Sequence, residues 1–401
     1  MGAPPHRGAI QLRTDQLAAR EAIQQAWRTH RRVLQQAPTA WGKGTLATVL
    51  LSDFAHAGEL AVFVAHLEEI NADLVQRVQQ GTGITPRVLM GSTPEGPADS
   101  LVWIVSEQTV ARRGINLGRV GLCIRDECHR QASKSALAVS DACGPDALHL
   151  GLTATPARGD GAPLDFYERL LPGPRIVDLV AEGIIAPMVS FSPRPSKDIA
   201  QDPVEAWPRL PDGRPRPGIL FAKDLEHSRV LASRFAAERG WTAVHCDADT
   251  PNRDAIIARF DAGEIDILCN KRLFLEGADL RRSEVTMAAT RFGHPGAMLQ
   301  ACGRSRRLYP GKERALFIDL TDNYSKHGDP DADRTYSLDG AEGISGAVAG
   351  SAQAMRCCQE CWAWTRSGAP CQVCRALPLP PPPPVLSKRE LVERMHAQQR
   401  L

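Results

Sequence analysis

The chain has no apolar run near the roughly 20 residues that cross a bilayer, so a membrane span is not expected. It also lacks a charge imbalance. Its 48 Lys and Arg against 46 Asp and Glu leave a net +2, so bulk charge does not announce a nucleic-acid binder. Local arginine clusters, Arg281-Arg282 and Arg304 to Arg307, carry that signal instead. The start, Met1-Gly2-Ala3-Pro4-Pro5-His6, has no apolar run behind a basic patch and no Ser or Thr at position 6. Neither a secretory leader nor a myristoyl anchor is expected, and the location expected is the cytoplasm. No repeat of fixed period is found, which argues against a solenoid.

What is present is a chain of 401 residues, 43% hydrophobic and 23% charged, enough for two or three globular domains. Of 11 cysteines, Cys123, Cys246, Cys269 and Cys302 sit in apolar segments and read as small buried hydrophobes of a reducing compartment. Residues 1–190 alternate short apolar runs with helical patterns. Strands are predicted at 32–36, 60–65, 101–105, 120–124 and 148–152. Continuous apolar strands separated by helices imply a parallel sheet covered on both faces. Residues 191–217 are proline-rich and read as a linker. Alternation resumes over 218–330, with strands predicted at 218–221, 241–244, 265–268, 285–288 and 315–318, so a second α/β domain is expected. A Gly/Ala-rich linker (331–355), a small cysteine-rich unit (356–376) and a proline spacer with a final helix (377–401) complete the chain.

Two strings carry the chemistry. Residues 37–45, Ala-Pro-Thr-Ala-Trp-Gly-Lys-Gly-Thr, follow the first strand and open a helix. Backbone N–H groups at a helix N-terminus attract phosphate, and a lysine there reaches the outer phosphates. Asp126-Glu127-Cys128-His129 follows a later strand, where carboxylates face the ligand crevice of a parallel sheet. An acidic pair of this kind suits a magnesium ion and a polarised water. In the second domain, Gln300 with Arg304 and Arg307 suits the charge of a phosphoryl group in transfer.

Over nearly all of residues 10–330 the chain resembles the superfamily 2 helicases of the DEAD/DEAH-box group. Leu12-Arg13-Thr14-Asp15-Gln16 is similar to their adenine-reading Q motif, and residues 37–45 to motif I. Ala65-His66-Leu67-Glu68-Glu69 resembles motif Ia, and Glu107-Gln108-Thr109 with Ala111-Arg112-Arg113 the next strand-contacting motif. Residues 126–129 match motif II in its DExH form and Thr153-Ala154-Thr155-Pro156 motif III. Residues 273–279 resemble motif V, and 300–307 match motif VI. Residues 318–323 with His327-Gly328 suggest a bacterial or phage branch carrying a C-terminal zinc ribbon. The resemblance implies two tandem RecA-like parallel-sheet domains and an ATP-dependent helicase. Arg13, Gln16, Thr39, Ala40, Gly42, Lys43, Gly44, Thr45, Gly277 and Asp279 would line ATP, with Gln16 reading the base and Lys43 gripping the outer phosphates. Asp126 would hold Mg2+ and Glu127 would orient or deprotonate the water. Gln300, Arg304 and Arg307 would act from the second domain, the arginines as fingers. His129, Thr153 and Thr155 would couple ATP to nucleic acid.

Motif I departs twice from the family. Ala40 replaces a glycine and is expected to demand φ < 0 there. Gly44 replaces the Ser or Thr whose hydroxyl normally ligates magnesium. Neighbouring Thr45 could substitute only if the helix starts one residue later, because each helical residue turns the side chain by roughly 100°. Three readings follow: an active DNA helicase or translocase, a hydrolysis-deficient nucleic-acid-binding adaptor, and an RNA helicase. Candidate strand contacts are His66, Gln108, Thr109, Arg112, Lys223 and Gly277, base-independent as a stepping motor needs. Trp41 has no assigned role beyond packing.

Near the C-terminus, Cys358-x-x-Cys361 and Cys371-x-x-Cys374 are two pairs a hairpin's length apart. This spacing predicts a tetrahedral Zn2+ site whose metal supplies the folding energy of a segment too short for a core. Cys357 is the alternative to Cys358, at poorer spacing. Trp362 and Trp364 would stack on a base or partner, or pack the ribbon.

Overall fold

A computed structural model describes residues 10–65, 68–90, 95–130, 134–158, 161–192, 201–275, 278–339, 344–345, 355–358, 360–361, 363–366 and 369–375. His66, Gly277, Trp362, the proline run 380–384 and the final helix lie outside them. The chain divides into two units, Met1–Ala352 and Gln353–Leu401. No described helix is long and apolar enough to cross a membrane.

The first unit holds two parallel sheets. The first contains β1 (Arg32–Gln36), β2 (Leu60–Ala65), β3 (Arg87–Leu89), β4 (Val102–Ser106), β5 (Val120–Arg125), β6 (Leu148–Thr153) and β7 (Arg169–Leu171). Their order is β3-β4-β2-β5-β6-β1-β7, with every pairing parallel. The second contains β8 (Met188–Phe191), β9 (Gly218–Ala222), β10 (Ala243–His245), β11 (Ile267–Asn270), β12 (Val285–Ala289) and β13 (Ala315–Asp319), in the order β10-β11-β9-β12-β13-β8 and again all parallel. Helices α1 (Thr14–Ala26), α2 (Lys43–His56), α3 (Glu68–Thr82), α4 (Glu107–Arg113), α5 (Lys134–Ala142) and α6 (Ile176–Ala181) serve the first lobe. The second lobe carries α7 (Pro203–Ala206), α8 (Leu225–Arg239), α9 (Arg253–Asp261), α10 (Pro295–Arg304) and α11 (Asn323–His327). The apolar face of α2 (Leu46, Leu50, Leu51) is fully buried against Val33, Phe63, Leu122 and Ile124 of the sheet. That packing fixes the start of α2 above the carboxyl ends of the strands, where ligands of such sheets bind.

Three expectations are corrected. β8 pairs with β13, so the second lobe begins near residue 186 and not at 218. The proline-rich stretch is not a free linker. Asp202 caps α7 by accepting the Val204 and Glu205 amides, and Val204 and Trp207 are buried beside Leu231 and Phe235. The apolar residues within the run outweigh its prolines. The start of the second linker is also structured. Past α11 the chain returns to the first lobe, where Leu338 accepts the Leu164 amide at 2.8 Å and packs near Leu34, Cys128 and Tyr167. An ion pair between the buried Arg306 and the partly exposed Asp331 holds this strap to the second lobe. Strands β14 (Thr335–Tyr336) and β15 (Ile344–Ser345) form a short antiparallel pair.

In the second unit, β16 (Met355–Cys357) and β17 (Trp364–Arg366) form an antiparallel hairpin.

Candidate functional site

Motif I is the loop between β1 and α2. Ala40 sits at φ 70° and Gly42 at φ 101°, so the expectation that alanine would forbid the left-handed turn is overturned. The loop keeps the turn at a cost of about 1–2 kcal/mol for a residue with a Cβ. Its neighbours hold it there. Trp41 is wholly buried, and its indole N–H donates to the Asp15 carboxylate at 2.5 Å. The Trp41 carbonyl accepts from Arg13 Nη2 at 2.8 Å and from Gln16 Nε2 at 3.2 Å. Trp41, left without a role by sequence reasoning, is therefore the strut between the Q motif and the phosphate loop. Gly42 is needed twice over, for its φ and because a Cβ would lie 2.7 Å from Gln16 Nε2.

Helix α2 begins at Lys43, so the later start that would aim Thr45 at magnesium does not occur. The Thr45 hydroxyl instead lies on the Gly42 side. Lys43 Nζ donates to the Ala37 carbonyl at 3.2 Å. The Ala37 amide donates to Thr153 O at 2.9 Å, which ties motif I to motif III.

Motif II begins where β5 ends. Glu127 also takes a left-handed φ, 45°, turning its side chain into the cleft. Burial of the Asp126 carboxyl, reinforced by the Glu127 charge, raises its pKa to about 6, although Lys43 and Arg304 pull it down. Asp126 and Glu127 are both only partly buried. Glu127 Oε2 lies 3.4 Å from His129 Nδ1, which lies 3.0 Å from Thr153 Oγ1. Thr153 Oγ1 accepts the Thr155 amide at 3.1 Å and donates to its carbonyl.

The second lobe reaches this site with one face of α10. Gln300 is 4% exposed, and its Nε2 donates to Glu127 Oε2 at 3.3 Å. One turn away on each side stand glycines. A Cβ on Gly296 would lie 2.9 Å from Thr155 Oγ1, and one on Gly303 would run into Thr39. Positions 296, 300 and 303 share a helix face, so the lobes dock with Thr155, Glu127 and Thr39 against it. Arg304 and Arg307 are held on their own lobe. Arg304 donates to the Leu275 and Ala278 carbonyls, and Arg307 donates to Ala278 O at 2.8 Å and is ion-paired with the Asp279 carboxylate at 2.9 Å. Asp279 is thus a counter-ion shared by Arg307 and Arg281. Lys312 locks the end of α10 by donating to the carbonyls of Arg281, Ser283, Ser305 and Arg307, and burial lowers its pKa to about 8. A 630 Å³ cavity behind the loop is walled by Pro38, Thr39, Cys302, Arg306 and Tyr336, but neither Lys43 nor Asp126 lines it, so it is not the triphosphate cleft.

Comparison with known proteins agrees with this geometry. Residues 9–158 match the family described as Type III restriction enzyme, res subunit. The ATP-dependent Type ISP restriction-modification enzyme LlaBIII bound to DNA superposes with a TM-score of 0.58 at 16% identity, over 78% of this chain and 28% of that one. The Mycobacterium smegmatis helicase Lhr bound to ssDNA and AMP-PNP does so with a TM-score of 0.52 at 17% identity, over 75% and 45%. Over about three quarters of its length the chain has the fold of these two enzymes. A 51.5 kDa protein of a Lactococcus phage (isolate 7-9) is 32% identical over 213 residues, 46% of this chain and 46% of its own length. The chain spans about half the length of the curated relatives it matches. At their identities the solved structures establish a shared fold.

Helix α4 exposes Gln108, Arg112 and Arg113 but buries Thr109. Lys223 stands exposed at the end of β9. Glu107, the first residue of α4, is not at the surface: it forms a buried ion pair with Arg125, the last residue of β5.

In the second unit, the ligand atoms of Cys358, Cys361, Cys371 and Cys374 all lie within 4.8 Å of one another. The Cys358–Cys374 and Cys361–Cys371 sulfur pairs are 3.6 Å apart, too far for a disulfide. Thiolates about 2.3 Å from a tetrahedral zinc would stand roughly 3.8 Å apart, so the set fits the ion. Cys357 is outside the set. Against the effect of burial, the Cys374 and Val373 amides lower the Cys371 thiol to about 7, toward the thiolate that binds metal.

Proposed function

We propose that the chain is an ATP-dependent DNA helicase or translocase that remodels nucleic-acid structures, hydrolysing ATP between its two RecA-like lobes. The observation that carries this reading is the Gln300–Glu127 contact, which joins the water-orienting position of one lobe to the motif VI helix of the other. In this reading Lys43 grips the outer phosphates, Glu127 orients and deprotonates the water, and Gln300 fixes Glu127. Arg304 and Arg307 exchange their carbonyl and Asp279 partners for phosphate oxygens on closure. Magnesium, when bound beside Asp126, supplies charge neutralisation on the phosphates. The path Glu127–His129–Thr153–Thr155 ends against Gly296 and so links the state of the site to the docking of the lobes.

Gly44 favours the second reading, a hydrolysis-deficient adaptor. DNA-stimulated ATP turnover above a Lys43→Ala control supports the motor, and turnover equal to that control supports the adaptor. Competition between DNA and RNA for stimulation distinguishes DNA from RNA as the track. Binding should weaken steeply with salt, as phosphate contacts by Arg112 and its neighbours require.

Gly303→Ala should cut turnover on the order of a hundredfold, the scale of an ångström-sized misplacement in an active site. The added methyl meets Thr39 and holds the lobes apart, while nucleotide binding to the first lobe persists. Unchanged kcat would mean that the lobes do not dock this way during turnover.

The four cysteines are proposed to hold one Zn2+ per chain. Cys361→Ser should release the metal and melt the hairpin, because binding of structural zinc, about 10–16 kcal/mol in small peptides, is its folding energy. Metal analysis of purified protein, with loss of protease resistance confined to residues 355–375 in the variant, checks this. Less than one zinc per chain in the wild type counts against it.

A further inference from the structure

Helix α10 ends at Arg304 and is capped by Ser305, so Arg307 stands in the turn beyond it. Leu308 and Tyr309, which follow, are exposed. Two ties hold the chain as far as Arg306. The Ser305 hydroxyl lies 2.9 Å from Ser283 Oγ and 2.8 Å from Thr286 Oγ1, all three buried, and the Ala186 amide donates to Arg306 O at 2.8 Å. Lys312 extends the hold to Arg307. Its amide closes the turn on Tyr309 O at 3.0 Å, and its ammonium reaches back beneath the turn. Nζ donates to the Arg307 carbonyl at 2.6 Å, to Ser283 O at 2.7 Å and to Arg281 O at 2.8 Å, with Ser305 O farther off at 3.4 Å. Such bonds from a charged donor belong to the strong class, and a lysine beyond a helix C-terminus is well placed to make them.

The carbonyls joined in this way belong to two functional segments. Arg281 and Ser283 follow closely on Ala278 and Asp279, the partners on which the Arg307 side chain rests. One ammonium therefore ties the backbone that carries the guanidinium to the backbone that carries its resting place. Asp279 is also paired with Arg281 at 2.9 Å. When Arg307 leaves for a phosphate, Asp279 keeps a cation and Lys312 keeps both arginine backbones where they are. Delivery of the guanidinium is then a swing of one side chain about a fixed Cα, with no shift of the turn.

We propose that Lys312 is a positioning residue for Arg307, fixing the turn from which that arginine is delivered to the transferring phosphoryl group. This rests on the reading of Arg307 as an arginine finger given above. Catalysis of phosphoryl transfer is chiefly a matter of placement, so a loosened turn should be felt in the chemical step and not in nucleotide binding to the first lobe.

The test compares wild type, Lys312→Met, Lys312→Arg, Arg307→Ala and the double variant Arg307→Ala/Lys312→Met at pH 7, below the value of about 8 to which burial lowers Lys312. The readouts are DNA-stimulated kcat and the affinities for ADP and for ADP–aluminium fluoride, a mimic of the phosphoryl group in transfer. Lys312→Met should lower kcat on the order of a hundredfold and weaken the fluoride complex in proportion, with ADP affinity unchanged. Lys312→Arg should lie between, because a planar fork cannot serve carbonyls that converge on one nitrogen. The double variant should be no worse than Arg307→Ala, as an effect exerted through Arg307 requires. Lys312→Met with wild-type kcat and analogue affinity, or a loss that adds in full to that of Arg307→Ala, overturns the proposal and leaves the nucleotide site standing. A wild type that neither turns over ATP nor prefers the fluoride complex to ADP removes the finger itself, and this role of Lys312 with it. Melting curves without nucleotide accompany every variant. Lys312→Gln, which keeps amide donors, replaces the methionine variant should that one unfold, and unfolding of both makes Lys312 a structural residue and overturns the proposal.

Discussion

Glu127→Gln should lower kcat roughly 100- to 10,000-fold, the range for losing a positioned general base, with the KM for ATP and DNA binding nearly unchanged. The separation follows from geometry. Glu127 Oε2 accepts from Gln300 across the cleft and faces His129. A glutamine keeps an oxygen for Gln300, so the lobes still close, but an amide cannot take a proton from water. The variant should therefore accumulate in the closed, ATP-bound state and hold DNA longer in ATP than in ADP. Gln300→Ala should give the complementary pattern: the base remains, docking weakens, and kcat falls less while its dependence on DNA changes. Steady-state ATPase and DNA-release kinetics on the pair separate the two roles. If Glu127→Gln keeps more than about a tenth of wild-type turnover, well above the loss expected for a general base, another group activates the water.

The residues proposed to meet phosphate stand out in the sequence because their pattern is local. A lysine opening a helix and a carboxylate pair ending a strand are each confined to a few consecutive positions, and most strands were read within two residues for the same reason. What escaped depended on partners distant in sequence. Trp41 acquires its function only from Asp15, Arg13 and Gln16. The three-residue strands β3 and β7 and the short β8 carry too few residues for a period to show. The strap at residues 328–339 reads as linker because its anchors, Arg306 and Leu164, belong to other segments. One further signal was present: glycines at 296 and 303 bracket Gln300 on one helix face. Glycine costs an exposed helix about 1 kcal/mol relative to alanine, so two on one face mark a close approach.

Glu107 illustrates the same limit and supplies a large stability effect within the first lobe. By resemblance it belongs to a strand-contacting motif, yet its side chain is 9% exposed and that of its partner Arg125 is 4% exposed. Glu107→Ala would remove the carboxylate facing the buried Arg125 guanidinium, and breaking a buried pair costs about 3–5 kcal/mol. That is about a fifth or more of the stability of an ordinary domain, and it should lower the melting temperature of the first lobe by roughly 10 °C. The damage should also reach function. Arg125 directly precedes Asp126, and Glu107 directly precedes Gln108, so the pair sets the spacing between the acidic motif and the exposed face of α4. Glu107→Gln, which retains a hydrogen-bond acceptor, should be milder. Replacing both partners with apolar residues of similar volume, Glu107→Leu with Arg125→Met, should recover most of the stability, because the penalty lies in the unpaired charge and not in the absent bridge. The recovered double variant then isolates the electrostatic contribution to coupling: if it folds like the wild type and hydrolyses ATP but loses stimulation by DNA, the pair transmits the signal between the two motifs. A single Glu107→Ala variant within about 1 kcal/mol of wild type, the range of an exposed salt bridge, would instead mean that water reaches Arg125 and that the two motifs are not joined through this contact.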